Sequence, residues 1–225
     1  MTRSLTRPLV LFSALILLLV GVGSAGAQDE EFRALLATLP FARTEDGAFI
    51  IGDPQAPITI IEFSDYACPH CMNYRETINQ FIAEYVSTGQ ARFELRVFPT
   101  AGGRRTVYAA RVAECAGRLH EGGFWHASEM LYDLAGSGGY NAPLGRVVAD
   151  DLGIDYLAML GCIWRARQIV TDYNFATALG IGGTPAVVVR YGDGEAAFIE
   201  YEGLTYSGGP VALDILAAVV EAANE

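Results

Sequence analysis

The chain has 225 residues, 52% of them hydrophobic and 18% charged, with four cysteines. That apolar content excludes a disordered chain, and the cysteines are too few to make a disulfide-dense miniprotein. Fifteen basic and 26 acidic residues give a net charge of -11, which repels phosphate backbones and anionic headgroups and argues against nucleic acid or membrane-surface partners. All the basic residues are Arg, and the length fits one domain, with or without an insertion.

Arg3 and Arg7 precede an apolar run over residues 9–20, and Ser24-Ala25-Gly26-Ala27 places small residues before the polar Gln28-Asp29-Glu30. This is the three-part layout of a secretory signal, read here as a signal peptide over residues 1–27 cleaved after Ala27. The alternative is an uncleaved N-terminal membrane anchor. Its apolar stretch, residues 9–23, is short of the roughly 20 residues that span a bilayer. Cleavage removes two arginines and no acid, taking the net charge from -11 to -13. The expected location is the periplasm or another extracytoplasmic space, where disulfides are the default state of paired thiols.

Residues 28–47 read as an N-terminal segment, a short helix with a connection, ahead of a main domain over 48–225. Residues 48–51 are a brief apolar run closed by the turn Gly52-Asp53-Pro54. Residues 58–63 (Ile-Thr-Ile-Ile-Glu-Phe) are the pattern of a central strand covered on both faces. A loop over 64–67 leads to a helix over 69–86, with Pro69 tolerated in its first turn. Residues 91–98 return as a strand of alternating character, completing a βαβ unit expected to cross over right-handed.

Helical periodicity then runs over about 104–179, divided near Gly122-Gly123, residues 136–139, Gly153 and Arg165 into four or five helices. Residues 185–190 form a strand, Gly192-Asp193-Gly194 a hairpin turn, and 196–201 the partner strand. A last helix over 210–223 sets Val211, Ile215 and Val219 on one face. The order is βαβ, helical block, ββα. It predicts an α/β fold with a mixed central sheet, helices on both faces and an inserted all-helical subdomain.

Cys68-Pro69-His70-Cys71 falls at the junction of a strand and a helix. There the unpaired N–H groups and the positive end of the helix dipole stabilise a Cys68 thiolate, and a protonated His70 adds to this. Cys68 and Cys71 are three residues apart, share a helix face and can bridge. Half a zinc site and a purely structural Cys68-Cys71 disulfide are the competing readings; against zinc, neither Cys115 nor Cys162 has a Cys or His at matching spacing. No metal or other cofactor is expected. Glu62 shares a strand face with Ile58 and Ile60. Buried there it has a raised pKa and can exchange a proton with Cys71; at the strand's end it would instead reach water.

The run Ile-Ile-Glu-Phe-Ser-Asp-Tyr-Ala-Cys-Pro-His-Cys, followed much later by Gly-Gly-Thr-Pro-Ala-Val-Val-Val, resembles the DsbA-like thiol-disulfide oxidoreductases of the thioredoxin superfamily. The resemblance covers nearly all of the chain after the signal and includes the helical insertion. It implies a thioredoxin-like fold in which Cys68 is the exposed nucleophile and Cys71 the buried resolving cysteine. Pro185 matches the cis-proline beside the disulfide, and Thr184 the variable residue whose backbone pairs with an extended client segment. Glu62 matches the family's buried acid. Asp65 matches a common acid, read as structural. The implied activity is donation of the Cys68-Cys71 disulfide to exported client proteins with cysteine thiols. A membrane oxidase would reoxidise the enzyme, which is expected to be a monomer. Thr184 departs from the Val of the best-known oxidants and leaves open an isomerase or reductase of the same fold. A redox-inert chaperone or binding module is the third reading.

Cys115 and Cys162 are the remaining pair in an exported chain and are expected to form a structural disulfide. Two buried free thiols or a regulatory pair are the alternatives. His120 and His126 read as surface or satisfied core residues, and Phe124, Trp125 and Tyr132 as core.

Overall fold

The structure is a computed structural model that describes residues 25–138, 140 and 143–225. Of the expected signal segment, residues 1–24 lie outside the described residues, as does Gly139 at the edge of one expected helix break.

Helix α1 (Ala25–Leu36) leads into strand β1 (Phe41–Arg43), which pairs antiparallel with β2 (Phe49–Ile51). The stretch read as a connection therefore contributes a strand to the sheet. One half-buried residue followed by two exposed ones carries no alternation by which a strand could be recognised. Strand β3 (Ile58–Ser64), helix α2 (Pro69–Phe81) and strand β4 (Arg92–Val97) form the βαβ unit, with β3 and β4 parallel. A π-helical turn at Ile82–Val86 ends α2, so the expected single helix over 69–86 changes its hydrogen-bond spacing in the last turn.

Five helices follow: α3 (Arg104–Leu119), α4 (Gly123–Gly136), α5 (Leu144–Asp151), α6 (Tyr156–Ile163) and α7 (Gln168–Ala178). Strands β5 (Ala186–Tyr191), β6 (Ala197–Tyr201) and β7 (Leu204–Tyr206) and helix α8 (Leu213–Ala223) complete the chain. The seven-stranded sheet runs β1-β2-β4-β3-β5-β6-β7, antiparallel except at β3/β4. Helix α8 starts later than expected and buries Leu216, Val219 and Val220; Val211 is buried just before it, and Ile215 is half-buried.

Strand β3 is buried along its whole length, and its alternation assigns the two sides. Ile58 and Ile60 join the large core with α2, α4 and α8. Ile61 and Phe63 pack on the other side with Phe175 and Ala176 of α7. The last helix of the inserted block is thus itself a layer on the sheet.

That layer also covers β4, whose apolar and polar residues alternate as expected but are buried on both faces. Phe93, Leu95 and Val97 face the large core, while Glu94 and Arg96 are buried on the other side. The Arg96 guanidinium meets Glu94 at 2.5 Å, Asp46 at 2.6 Å and Asp172 of α7 at 3.3 Å, and lies 4.4 Å from the Phe175 ring. Arg190 takes the other Glu94 oxygen at 2.8 Å. A buried charge persists only with such partners.

Within the helical block the Cys115 and Cys162 sulfurs are bonded, joining α3 to α6 across a separation of 47 residues. Trp164, two positions on, is 79% exposed. Gly117 of α3 allows the Phe49 and Phe124 rings to stack at 3.9 Å, because a Cβ there would come within 2.5 Å of the Phe49 ring.

Candidate active site

Strand β3 delivers Ser64 to the edge of the core, and a tight loop then turns into α2. Cys68 is the N-cap of that helix, with extended backbone (φ -82°, ψ 120°) and Pro69 in the first turn. Pro69 lacks an N–H that would otherwise be unpaired at this position. Cys71 lies one turn further in, on the buried side of α2. Both cysteines are free thiols.

The loop is held by Asp65. One carboxylate oxygen accepts from the Thr100, Ala101 and Gly102 amides at 2.8, 2.7 and 3.0 Å, the other from the Ala67 amide at 2.8 Å and the Thr106 hydroxyl. Gly102 permits this approach, since a Cβ there would sit 2.7 Å from the Ala67 Cβ. Asp65 therefore binds the active-site loop to the start of the helical block.

Thr184 and Pro185 sit across from Cys68, joined by a cis peptide bond. The Cys68 thiol donates to the Thr184 carbonyl at 3.4 Å, and the Thr184 hydroxyl pairs with that of Thr100 at 2.5 Å. Cys68 is only 5% exposed, which corrects the expectation of an exposed nucleophile: the loop carrying Thr184 covers its sulfur. His70 is exposed on the first turn of α2 and makes no hydrogen bond or ion pair among the described residues.

Cys71 receives the Asp65 amide at 3.5 Å. Burial pushes its thiol up to about 12; hydrogen bonds from Ser64, the Asp65 amide and Thr184 pull the other way, and the charge of Glu62 adds to the rise. Glu62 is buried on the same side of the sheet, and burial pushes its carboxyl up to about 7, with Ser64 opposing and Glu129 adding. Glu62 also lines a cavity of about 30 Å³ together with Arg75, Trp125, Ser128, Glu129 and Tyr132. Arg75 holds Glu129 and Asp133 at the outer side, and the buried Trp125 Nε1 has no hydrogen-bond partner among the described residues.

A sequence-family model described as thioredoxin matches residues 44–196. The chain belongs to this family. Among solved structures, Wolbachia pipientis α-DsbA1 superposes with a TM-score of 0.63 at 24% identity, covering 84% of this chain and 94% of that one. The fold, with its helical insertion, is DsbA-like. Among curated proteins, the Na(+)/H(+) antiporter NhaA 1 of Salinispora arenicola is 27% identical over 64% of this chain and 22% of the antiporter. The disulfide bond formation protein D of Bacillus subtilis is 28% identical over 39% of each. The chain spans less than two fifths of the length of these curated relatives.

In this thioredoxin-family chain the sheet and α2 bring Glu62, Cys68, Cys71, Thr184 and Pro185 to one end of β3. The sequence reading missed Ser64 and the hydroxyl of Tyr132, which meet at 2.6 Å. Ser64 stood in a segment read as loop, and Tyr132 lies 68 residues away on a helix whose aromatic spacing pointed only to core. His126 pairs with Asp151 at 2.6 Å, far from the thiols in the chain, and His120 bonds the Glu121 carbonyl.

The raised Glu62 carboxyl makes stability depend on pH. Its value is about 7 in the fold against 4.5 ordinarily, so between those limits the folded state holds a proton that the unfolded chain has lost. Stability therefore falls as pH rises across that window, by about 3 kcal/mol in total. In Glu62→Gln this slope is absent. The stability difference between variant and wild type should grow from near zero at about pH 4.5 to about 3 kcal/mol above pH 7. Denaturant midpoints across pH measure it, and parallel curves would refute it. Asp172, which burial also pushes up to about 7, is common to both proteins and cancels in the difference.

Proposed function

We propose that the protein is an exported thiol-disulfide oxidoreductase that donates the Cys68-Cys71 disulfide to folding exported proteins. The observation that carries this reading is the pair of thiols at the start of α2, with cis Thr184-Pro185 over Cys68 and the buried Glu62 behind Cys71. A client thiolate attacks the Cys68 sulfur of the oxidised pair, and Cys71 leaves. The client's second thiolate then displaces Cys68, so the client is oxidised by two electrons and the enzyme reduced. A membrane oxidase returns the pair to the disulfide. The name of the Bacillus subtilis relative agrees with this direction. The layout of residues 1–27 and the bonded Cys115 and Cys162 support an extracytoplasmic location.

Thr184 before the cis-proline favours a reductase or isomerase of the same fold. The reduction potential of Cys68-Cys71 separates the two, read from mass-mapped thiols equilibrated with glutathione. A donor is expected near -120 mV, and a value near -270 mV would assign a reductant. Oxidised protein mixed with a reduced two-cysteine peptide should convert it to the disulfide; a binding module would leave it reduced.

A further inference from the structure

We propose that Thr100 is a positioning residue for client capture: its hydroxyl holds Thr184, along whose backbone an extended client lies, in register with Cys68 at the stages when the Cys68 sulfur cannot. This inference rests on the thiol-exchange reading above and adds a residue to it. Thr100 stands in the loop after β4, 84 positions before Thr184, and the two hydroxyls meet at 2.5 Å. Whichever of them donates, the bond fixes the Thr184 side chain to the Thr100 loop.

The other partners of Thr184 are sulfurs. Its carbonyl accepts from the Cys68 thiol at 3.4 Å, and its pull on the Cys71 thiol likewise ends on a reacting atom. Among the described residues Thr184 makes no further hydrogen bond. Gly182 and Gly183 before it are exposed and make none, and the next fixed point upstream is the Ile181 amide, which donates to the Ala176 carbonyl at 2.9 Å. Downstream, Pro185 has no N–H, and pairing with β3 begins at Ala186.

Thr100, by contrast, is firmly set. Its amide donates to the Asp65 carboxylate at 2.8 Å, and the Asp65 carbonyl accepts from the Cys68 amide at 2.9 Å. Asp65 is wholly buried. One residue thus spaces the Cys68 backbone from the Thr100 loop, and the pair of hydroxyls carries that spacing to Thr184 without passing through sulfur.

The redox cycle gives this path its use. In the reduced pair the Cys68 S–H helps to hold the Thr184 carbonyl. In the Cys68-Cys71 disulfide the Cys68 sulfur carries no proton, and the same is true of the mixed disulfide, so in both states that bond is lost. Those are the states that meet the client. The client thiolate forms a bond to the Cys68 sulfur, and the Cys68-Cys71 bond breaks with its electron pair on Cys71. Thr100 is the partner of Thr184 that the cycle leaves unchanged. A peptide lying along Thr184 gains from an edge ordered beforehand. A small thiol that reaches only the sulfur does not.

The test compares Thr100→Val, Thr100→Ser and Thr184→Val with wild type. Stopped-flow opening of the Cys68-Cys71 disulfide is followed at one pH with two reductants: a reduced two-cysteine peptide, and dithiothreitol, which is too small to lie along Thr184. T100V should react about fivefold more slowly with the peptide, as for loss of one positioning hydrogen bond, and at the wild-type rate with dithiothreitol. T100S keeps the hydroxyl and should keep both rates. T184V removes the same bond from its other end and should also lose peptide rate. Adding T100V to it should change little more, because the two hydroxyls form one contact. Thr100 is exposed, and its amide bond to Asp65 is kept in every variant, so the loop stays anchored. A wild-type peptide rate in T100V overturns the inference. So does an equal loss toward both reductants, a T100S as slow as T100V, or fully additive losses in the double variant. Wild-type protein that dithiothreitol opens but that leaves the peptide reduced overturns the client reading itself, and the role of Thr100 with it.

Discussion

Arg96→Met is expected to destabilise the fold by about 5 kcal/mol, the upper part of the range for removing one partner of a buried ion cluster. The side chain itself is replaced by one of similar length that packs well. The cost comes from what remains: Glu94 and Asp172 stay buried at 0% and 3% exposure without the guanidinium that faced them. Arg190 still holds one Glu94 oxygen, and Gln168 still donates to Asp172, so the loss is large but bounded. Adding Glu94→Gln and Asp172→Asn to the same variant should recover much of it, because neutral side chains carry a smaller burial cost. Denaturant midpoints of the single and triple variants measure both. A single-variant loss below about 1 kcal/mol would mean that the cluster behaves like a surface pair.

The second large effect is expected from Cys115→Ala with Cys162→Ala. Closing the 47-residue separation between α3 and α6 restricts the unfolded chain, and the loop-entropy model gives about 4 kcal/mol. Both residues are buried, and Ala fills most of their volume, so the change acts mainly through the lost crosslink. Neither residue touches Cys68 or Cys71 in the described hydrogen bonds, and peptide oxidation should survive at temperatures where the variant is folded. Peptide mapping without reduction is the direct check: alkylated Cys115 and Cys162 in the native protein would remove the premise.

The parts of the fold legible in the sequence are those whose physics is local. Residues 58–63 read as a doubly covered strand because four of the six side chains are apolar and fall on both faces, and the glycine-rich breaks divide the helical block because glycine interrupts helix propensity locally. Cys68 and Cys71 were found from a four-residue motif at a strand-helix junction. What stayed hidden depends on the third dimension. Glu94 and Arg96 look like a solvent-facing stripe until α7, some 75 positions later, covers them. Ser64 gained its place only through Tyr132, whose hydroxyl returns from α4. Strand β1 has three residues and no periodicity of its own; only pairing with β2 makes it a strand.

The placement of the two tryptophans makes the molecule its own optical reporter. Trp125 is buried beside Glu62 and Glu129, so its emission senses charge appearing or vanishing next to the buried carboxyls. Trp164 stands in solvent just past Cys162, at the far anchor of the crosslinked block. A soluble quencher such as acrylamide darkens the second indole and leaves the first. The residual fluorescence then isolates the interior below the thiols, and the quenched fraction follows the helical block, without any label being introduced.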